Sequence, residues 1–463
     1  LTPPMKLALS LALLLSIAFL LPLPESAAMA GLDPQKVRLG LAFFACIACL
    51  WMTEALPLAI TALLVPVLGA AMGLTEIKDS LASFSNPLIF LFFGGFALAA
   101  ALSAQGLDSW IADRLAILGK GKFIPVALWL FLGTAILSMW ISNTATTAMM
   151  IPLTLGILNR FNDSDASITT SNSRFLLLGL AYSASIGGLG TIVGSPPNGI
   201  AAKQLGIGFT EWMAFGVPAD AVLLPAIVVL LWLILKPTSP VIGEIPSLAD
   251  GESKTGRFSF DLPRKITLAI FALTALAWIF SAKLGPLLGI SDTDTWIALA
   301  AVALLALTKT VTWQQIDRGT DWGVLLLFGG GLALSGILST SGASLFMARL
   351  LGATMQAWPF WLIIAAVVAF VIFLTELSSN TASAALLVPI FYTMAQESSL
   401  APAQLVLPLA LAASCAFMLP VGTPPNAIVF ATGRIPLPAM MRTGLALNLS
   451  FILLITALAL MLF

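Results

Sequence analysis

Long apolar runs, interrupted by proline, glycine and single charges, follow one another along the whole chain. The runs 221–235 and 451–463 carry no charged residue at all. A membrane-spanning β-strand would alternate apolar and polar residues over about ten positions. These runs do not alternate, so they predict the other structure whose backbone satisfies itself in lipid, the α-helix. Spans are expected near 7–23, 38–51, 56–73, 87–105, 174–190, 216–236, 264–281, 295–309, 321–340, 402–419 and 442–462. Some fall short of the roughly 20 residues of a straight crossing, so broken or extended helices are expected among them. Two further apolar stretches, 124–159 and 358–396, hold polar residues at their centres and are read as re-entrant hairpins.

Composition narrows the class. Of 463 residues, 59% are apolar and 9% charged, against about 45–50% and about 25% in soluble domains. So few charges cannot cover a water-facing surface of this size, which excludes the soluble classes. The net charge of zero, without a basic run, excludes a nucleic-acid partner. Histidine is absent, which removes His-based metal sites, catalytic triads and His proton relays; no enzyme and no organic cofactor are expected. Cys46, Cys49 and Cys415 lie in apolar surroundings and are read as packing residues, not as a redox motif or a disulfide framework. Lys6, the run 7–23 and Ala28-Met29-Ala30 imitate a signal peptide, but the segment is read as a first membrane helix.

The chain repeats itself. Gly94-Gly95, followed by an apolar run to Gly106, matches Gly330-Gly331 and the run to Gly342. Ser142-Asn143-Thr144-Ala145 recurs as Ser379-Asn380-Thr381-Ala382, and Gly194-Ser195-Pro196-Pro197-Asn198 as Gly422-Thr423-Pro424-Pro425-Asn426. The order is kept and the separation nearly constant, which marks an internal repeat. The division is therefore an N-terminal segment, 1–36, with the first membrane helix; repeat 1, 37–236; a hydrophilic linker, 237–263; and repeat 2, 264–463. Each repeat reads as five crossings plus one hairpin. An odd number of crossings inverts the second copy relative to the first, as in many secondary transporters. Basic residues agree: Arg114, Lys120, Lys122, Arg160 and Arg174 flank the first hairpin, but only Arg349 flanks the second. By the positive-inside rule the first hairpin opens to the cytoplasm and the second to the outside. That topology leaves only Lys36, Arg38, Lys78, Lys203, Lys283 and Arg349 of the 21 Lys and Arg outside, with a cytoplasmic N-terminus and an external C-terminus.

The repeated motifs carry the chemistry. Ser-Asn-Thr is a helix N-cap signal. At a hairpin tip it aims free N–H groups and the positive end of a helix dipole into the bilayer, where anions bind. The hydroxyls of Ser142, Thr144, Ser379 and Thr381 and the amides of Asn143 and Asn380 add donors without formal charge. The paired prolines break two helices and free backbone carbonyls, which, with Ser, Thr and Asn oxygens, suit a monovalent cation. Glu54 and Glu376 are read as capping or pairing residues, Asp108 and Asp220 as interfacial, and Trp51, Trp110, Trp212 and Trp358 as interface anchors.

These tips and breaks, with Met52-Thr53-Glu54-Ala55-Leu56-Pro57, resemble the divalent anion/sodium symporter family, the INDY-type dicarboxylate transporters, over essentially the whole chain from about residue 7. The resemblance implies an all-α polytopic membrane protein of about 11 transmembrane helices plus two re-entrant hairpins. It implies a homodimer, with scaffold and transport domains in each protomer, working as an elevator in the bacterial inner membrane. It implies symport of a C4-dicarboxylate such as succinate, fumarate or malate with sodium as coupling ion. Carried onto this sequence, Asn143, Thr144, Asn380 and Thr381 contact the substrate carboxylates, with Ser142, Ser379, Ser195, Pro196, Thr423 and Pro424 nearby. One sodium site draws on Ser138, Ser142, Asn143 and Gly194, the other on Thr375, Ser378, Asn380 and Gly422. The motif oxygens suit citrate or sulfate as well, and exchange, or passive flow through a channel, are the competing modes.

Overall fold

The computed structural model describes residues 3–20, 29–118, 122–160, 166–238, 260–355 and 357–462. Lys120 and most of the expected linker, including Lys254 and Arg257, lie outside the described residues, as does the side chain of Arg160. Helix follows helix. The first half contains α1 (Pro3–Leu20), α2 (Pro34–Thr53), α3 (Leu58–Ala71), α4 (Ile77–Ala82), α5 (Pro87–Ala104) and α6 (Leu107–Leu118). It continues with α7 (Phe123–Ser138), α8 (Asn143–Arg160), α9 (Ala166–Gly187), α10 (Pro196–Leu205) and α11 (Phe209–Leu235). The second half contains α12 (Leu262–Ile279), α13 (Ser281–Leu288), α14 (Thr293–Leu307), α15 (Trp313–Gly319), α16 (Trp322–Thr340) and α17 (Ala343–Met355). After these come α18 (Phe360–Thr375), α19 (Asn380–Glu397), α20 (Ala403–Ala413), α21 (Pro424–Ala431) and α22 (Leu437–Leu462).

Local chemistry fixes the starts. Asp33, Asn86, Asp261 and Asp321 accept from main-chain N–H groups in the first turns of α2, α5, α12 and α16, as N-cap residues do. Paired prolines open α10 and α21, where their missing N–H groups cost nothing. Six described spans are long and apolar enough to cross a bilayer, or seven if α13 and α14, bent by 89° at their break, count as one. The expected crossings at 7–23, 56–73 and 402–419 fall on shorter apolar helices of 10–17 residues, and that at 174–190 on α9, 22 residues long but more polar. α11 is typical of the lipid-facing surface: Leu223, Ile227 and Leu231 are buried, while Val222, Val229, Trp232 and Leu233 are exposed.

The sequence repeat is repeated in the packing. α14 lies along α5, and α3 along α16. A Cβ on Gly94 would stand 2.6 Å from Ala298 Cβ, and one on Gly330 would stand 2.6 Å from Ala62 Cβ. These are corresponding positions in the two halves, and both contacts exist because a glycine lets two backbones approach. The rings of Phe92 and Phe328, also corresponding residues, meet between the halves with centroids 4.5 Å apart.

Three expectations are corrected. Trp51 and Trp212 are fully buried and donate from Nε1 to Leu58 O and Leu189 O, so they are core residues and not interface anchors. Asp220 is not interfacial, since both its carboxylate oxygens are shut off from solvent. An evenly apolar helix does not reveal which side faces protein, and these three residues point inward. The short α6 and α17, which lie between the expected spans, pack on the hairpin helices α7 and α19.

Candidate functional site

Each polar-centred stretch is a pair of helices joined by a tight turn. α7 and α8 are separated by residues 139–142, and α18 and α19 by residues 376–379. At the tips Ser142 Oγ accepts from Ala145 N at 3.3 Å and Ser379 Oγ from Ala382 N at 3.5 Å. The Ser-Asn-Thr motifs therefore cap α8 and α19 as their composition predicts, and the positive helix ends begin at Asn143 and Asn380. Asn143 and Asn380 are half-buried, Thr144 exposed and Thr381 buried.

The Gly-x-Pro-Pro-Asn motifs lie where long helices are interrupted, between α9 and α10 and between α20 and α21. Their asparagines act as latches. Asn198 Nδ2 donates to Gly188 O at 2.8 Å and Thr191 O at 2.7 Å, and Asn426 Nδ2 to Ala416 O at 2.9 Å and Leu419 O at 3.0 Å. Sequence reasoning had counted these asparagines only as oxygen donors. Their Oδ1 atoms are indeed buried without a partner, but their nitrogens hold the interrupting loops in shape.

Beneath the first tip, oxygens converge. Ser138 Oγ stands 2.7 Å from Ala184 O and 2.6 Å from Asn143 Oδ1. With its amide turned over, Asn143 instead donates to Ala184 O at 3.0 Å, Ser138 Oγ at 2.6 Å and Gly194 O at 3.3 Å. The first orientation sets oxygen against oxygen, and the second satisfies both amide atoms and closes the network on itself. Small residues are required: a Cβ on Gly188 would stand 2.4 Å from Asn143 Oδ1, and one on Gly194 would stand 2.5 Å from Gly188 O. Ala184 and Gly188 were missed in the sequence, although the glycine-rich run 187–190 just before the break was a usable signal.

Beneath the second tip, Thr375 Oγ1 and Asn380 Oδ1 are buried without a hydrogen-bond partner. A Cβ on Gly422 would stand 3.0 Å from Ala416 Cβ and 3.1 Å from Glu376 Oε2. Ser378 is turned elsewhere, donating to Leu374 O at 3.0 Å and meeting Ser383 Oγ at 2.8 Å. Glu376 behaves as the capping residue expected of it. It accepts from the N–H groups of Phe417, Met418 and Leu419 and from Asn448 Nδ2 at 2.6–2.9 Å.

The halves interlock. α10 packs on α19 and α20, and α21 on α8 and α9, so each hairpin is seated on the other half's broken helix. Ser195 Oγ and Ser414 Oγ meet at 3.2 Å, and Tyr182 donates to Phe417 O at 2.7 Å. Thr423 Oγ1 accepts from Asn426 N at 3.3 Å; Ser195 is buried, while Pro196 is half-buried and Pro424 exposed. None of these site positions is an Arg or Lys. Each tip presents a capped helix end and neutral donors, with buried oxygens beneath it.

Comparison with known proteins agrees with this architecture. The family model described as a citrate transporter, CitMHS, matches residues 48–402. An uncharacterized transporter of Haemophilus influenzae is 46% identical over 434 residues, 92% of each chain. A sodium-dependent dicarboxylate transporter, SdcS, of Staphylococcus saprophyticus is 34% identical over 446 residues, covering 88% of this chain and 83% of that one. The crystal structure of the YdaH transporter of Alcanivorax borkumensis has a similar fold, with a TM-score of 0.55 at 14% identity, covering 82% of this chain and 86% of that one. The chain is a multi-pass membrane protein of the transporter class, and it belongs to the divalent anion/sodium symporter family that the citrate-transporter model and the SdcS relatives mark out.

Proposed function

We propose that this protein is a secondary active transporter that carries a C4-dicarboxylate, of the succinate, fumarate or malate type, into the cell together with sodium. The observation that carries this reading is a capped helix end above buried oxygens in each half, Thr375 Oγ1 and Asn380 Oδ1 in the second and Ser138 Oγ and Ala184 O in the first, with no cationic side chain among them. A dianion inside the bilayer needs its charge met. Helix ends meet part of it, and sodium ions in the oxygen pockets supply the rest. Asn143, Thr144, Asn380 and Thr381 hold the carboxylates, with the neighbouring motif residues shaping the site. Sodium binds first and prepares the tips for the anion, which is the source of coupling.

The sequence inversion and the interlocked halves support an elevator motion in which hairpins and broken helices travel against the remaining helices. The charge bias supports a cytoplasmic N-terminus and an external C-terminus. The protein acts as a homodimer in the bacterial inner membrane.

Uptake of labelled succinate into proteoliposomes tests this reading, and replacing sodium with choline should abolish it. Undiminished uptake in choline would remove sodium coupling. Asn143→Ala and Asn380→Ala should each lower uptake at least about 10-fold, since each deletes a hydrogen bond to a charged group; normal uptake by both variants would remove the site assignment. The citrate-transporter model supports a second reading with citrate as substrate. Sodium-dependent competition among succinate, fumarate, citrate and sulfate separates the two.

A further inference from the structure

Each half sets one carboxylate against the loop that interrupts its broken helix, but from a different element. In the second half it is Glu376, on the turn between α18 and α19, with Asn448 of α22 as a donor. In the first half the corresponding turn residue is Met139, and the residue of α11 corresponding to Asn448 is Asp220. Met139 and Asp220 flank one loop residue: a Cβ on Gly190 would stand 2.2 Å from Met139 Cε and 2.7 Å from Asp220 Oδ2. The carboxylate has changed elements between the halves while keeping its loop.

Its surroundings differ. Glu376 is met by three main-chain N–H groups and an amide, a donor set that stabilises a permanent anion. Asp220 has only the main-chain N–H of Gly190 within electrostatic reach, outside hydrogen-bond geometry. Both its oxygens are buried without a hydrogen-bond partner, and the adjacent Gly190 N–H already donates to Gly187 O at 3.2 Å. The elements packed on α11 are α9, α12, α13 and α22, which carry Arg174, Tyr182, Arg264, Lys265, Lys283 and Arg442. None of these reaches the Asp220 oxygens. Cys415, just beyond α20, lies within electrostatic range of Asp220 and offers no positive charge. An isolated buried carboxylate is resolved by taking up a positive charge, and in a membrane-embedded helix such a group marks an ion or proton path.

We propose that Asp220 is the seat of one further monovalent cation, apart from the two oxygen pockets at the hairpin bases. The shared chemistry is a single positive charge against a buried carboxylate, for which a sodium ion and a proton are the two sources. Its part in transport rests on the sodium-coupled reading above, but the binding does not. Asp220 faces the loop that also supplies the Gly194 carbonyl to the first pocket, so occupancy at one place is felt at the other.

The test uses the purified full chain with Asp220→Asn and Asp220→Ser. Bound ²²Na⁺ and proton exchange are measured in detergent, and charge moved per succinate is measured in proteoliposomes from reversal potentials. Folded variants are expected to bind one positive charge fewer and to move one fewer per succinate. A matching fall in bound sodium assigns that charge to Na⁺. Unchanged sodium, with loss of the pH dependence of the reversal potential, assigns it to a proton. Variants that match the wild type in bound sodium, proton exchange and charge moved overturn the proposal. Should neither variant fold, the unaltered chain decides: its sodium and protons bound at saturation should exceed by one the capacity of the two pockets, and equality overturns the proposal. Absence of succinate transport by the unaltered chain would count against the transport reading alone, because the detergent measurements do not depend on it.

Discussion

At the scale of single residues, the site is held by side chains whose hydrogen bonds go to the backbone. Glu376 is the clearest case. Its two oxygens take the N–H groups of Phe417, Met418 and Leu419 and the Asn448 amide, fixing the loop before Gly422. Glu376→Ala would strand two buried and two half-buried donors, at about 1–3 kcal/mol for each buried one that finds no substitute. Its midpoint of thermal unfolding in detergent should fall by several degrees or more, with Glu376→Gln between it and the wild type. A midpoint unchanged in the alanine variant would mean the loop keeps its shape by other contacts. Glu376 was legible as a cap because it follows an apolar run directly. Trp51, Trp212 and Asp220 were not, because a membrane helix is apolar on its lipid side as well as its protein side and loses the periodic contrast that shows direction in a soluble helix.

At the scale of elements, the hairpins and the helix breaks were legible because polar or proline-rich residues interrupt an otherwise apolar chain. Both features sit where the motifs are, at residues 139–142 and 376–379 and at the two Pro-Pro starts of α10 and α21. The crossings of α5 with α14 and of α16 with α3 were legible only as matched glycines, whose partners come from far away in the chain. Gly94→Val and Gly330→Val each place side-chain atoms where a Cβ alone would stand 2.6 Å from an alanine methyl, and overpacking of this kind costs about 1–3 kcal/mol or more. Both variants should purify in lower yield and melt earlier. Gly156→Ala and Gly336→Ala, on helix faces with nothing within 4 Å, should melt at or slightly above the wild-type temperature, since alanine favours a helix by about 0.5–1 kcal/mol. Equal behaviour of the two pairs would remove the packing argument for the repeat.

At the scale of the molecule, the proposed elevator motion requires a boundary across which helices slide. The paired crossings among α3, α5, α14 and α16 form one block, while the hairpins and broken helices are tied to one another by the Ser195–Ser414 contact and the Tyr182 hydrogen bond to Phe417 O. Gly95 of α5 and Val193 of the first break face each other across that boundary, with a Cβ on Gly95 standing 3.3 Å from Val193 Cβ. This is a few tenths of an ångström short of the separation of about 3.5–4.5 Å at which two cysteines bridge. With Cys46, Cys49 and Cys415 replaced, Gly95→Cys with Val193→Cys should cross-link under mild oxidation. Replacing valine by cysteine at 193 also makes room for the new side chain at 95. If the second block moves as a body, the bridge should stop succinate uptake in proteoliposomes while leaving sodium and succinate binding in detergent within about 2-fold of the reduced protein, and reduction should restore uptake. Uptake that continues with the bridge formed would mean the two blocks do not part here. The transport cycle would then have to run through the hairpin tips alone, with the capped ends at Asn143 and Asn380 opening as gates over a stationary site.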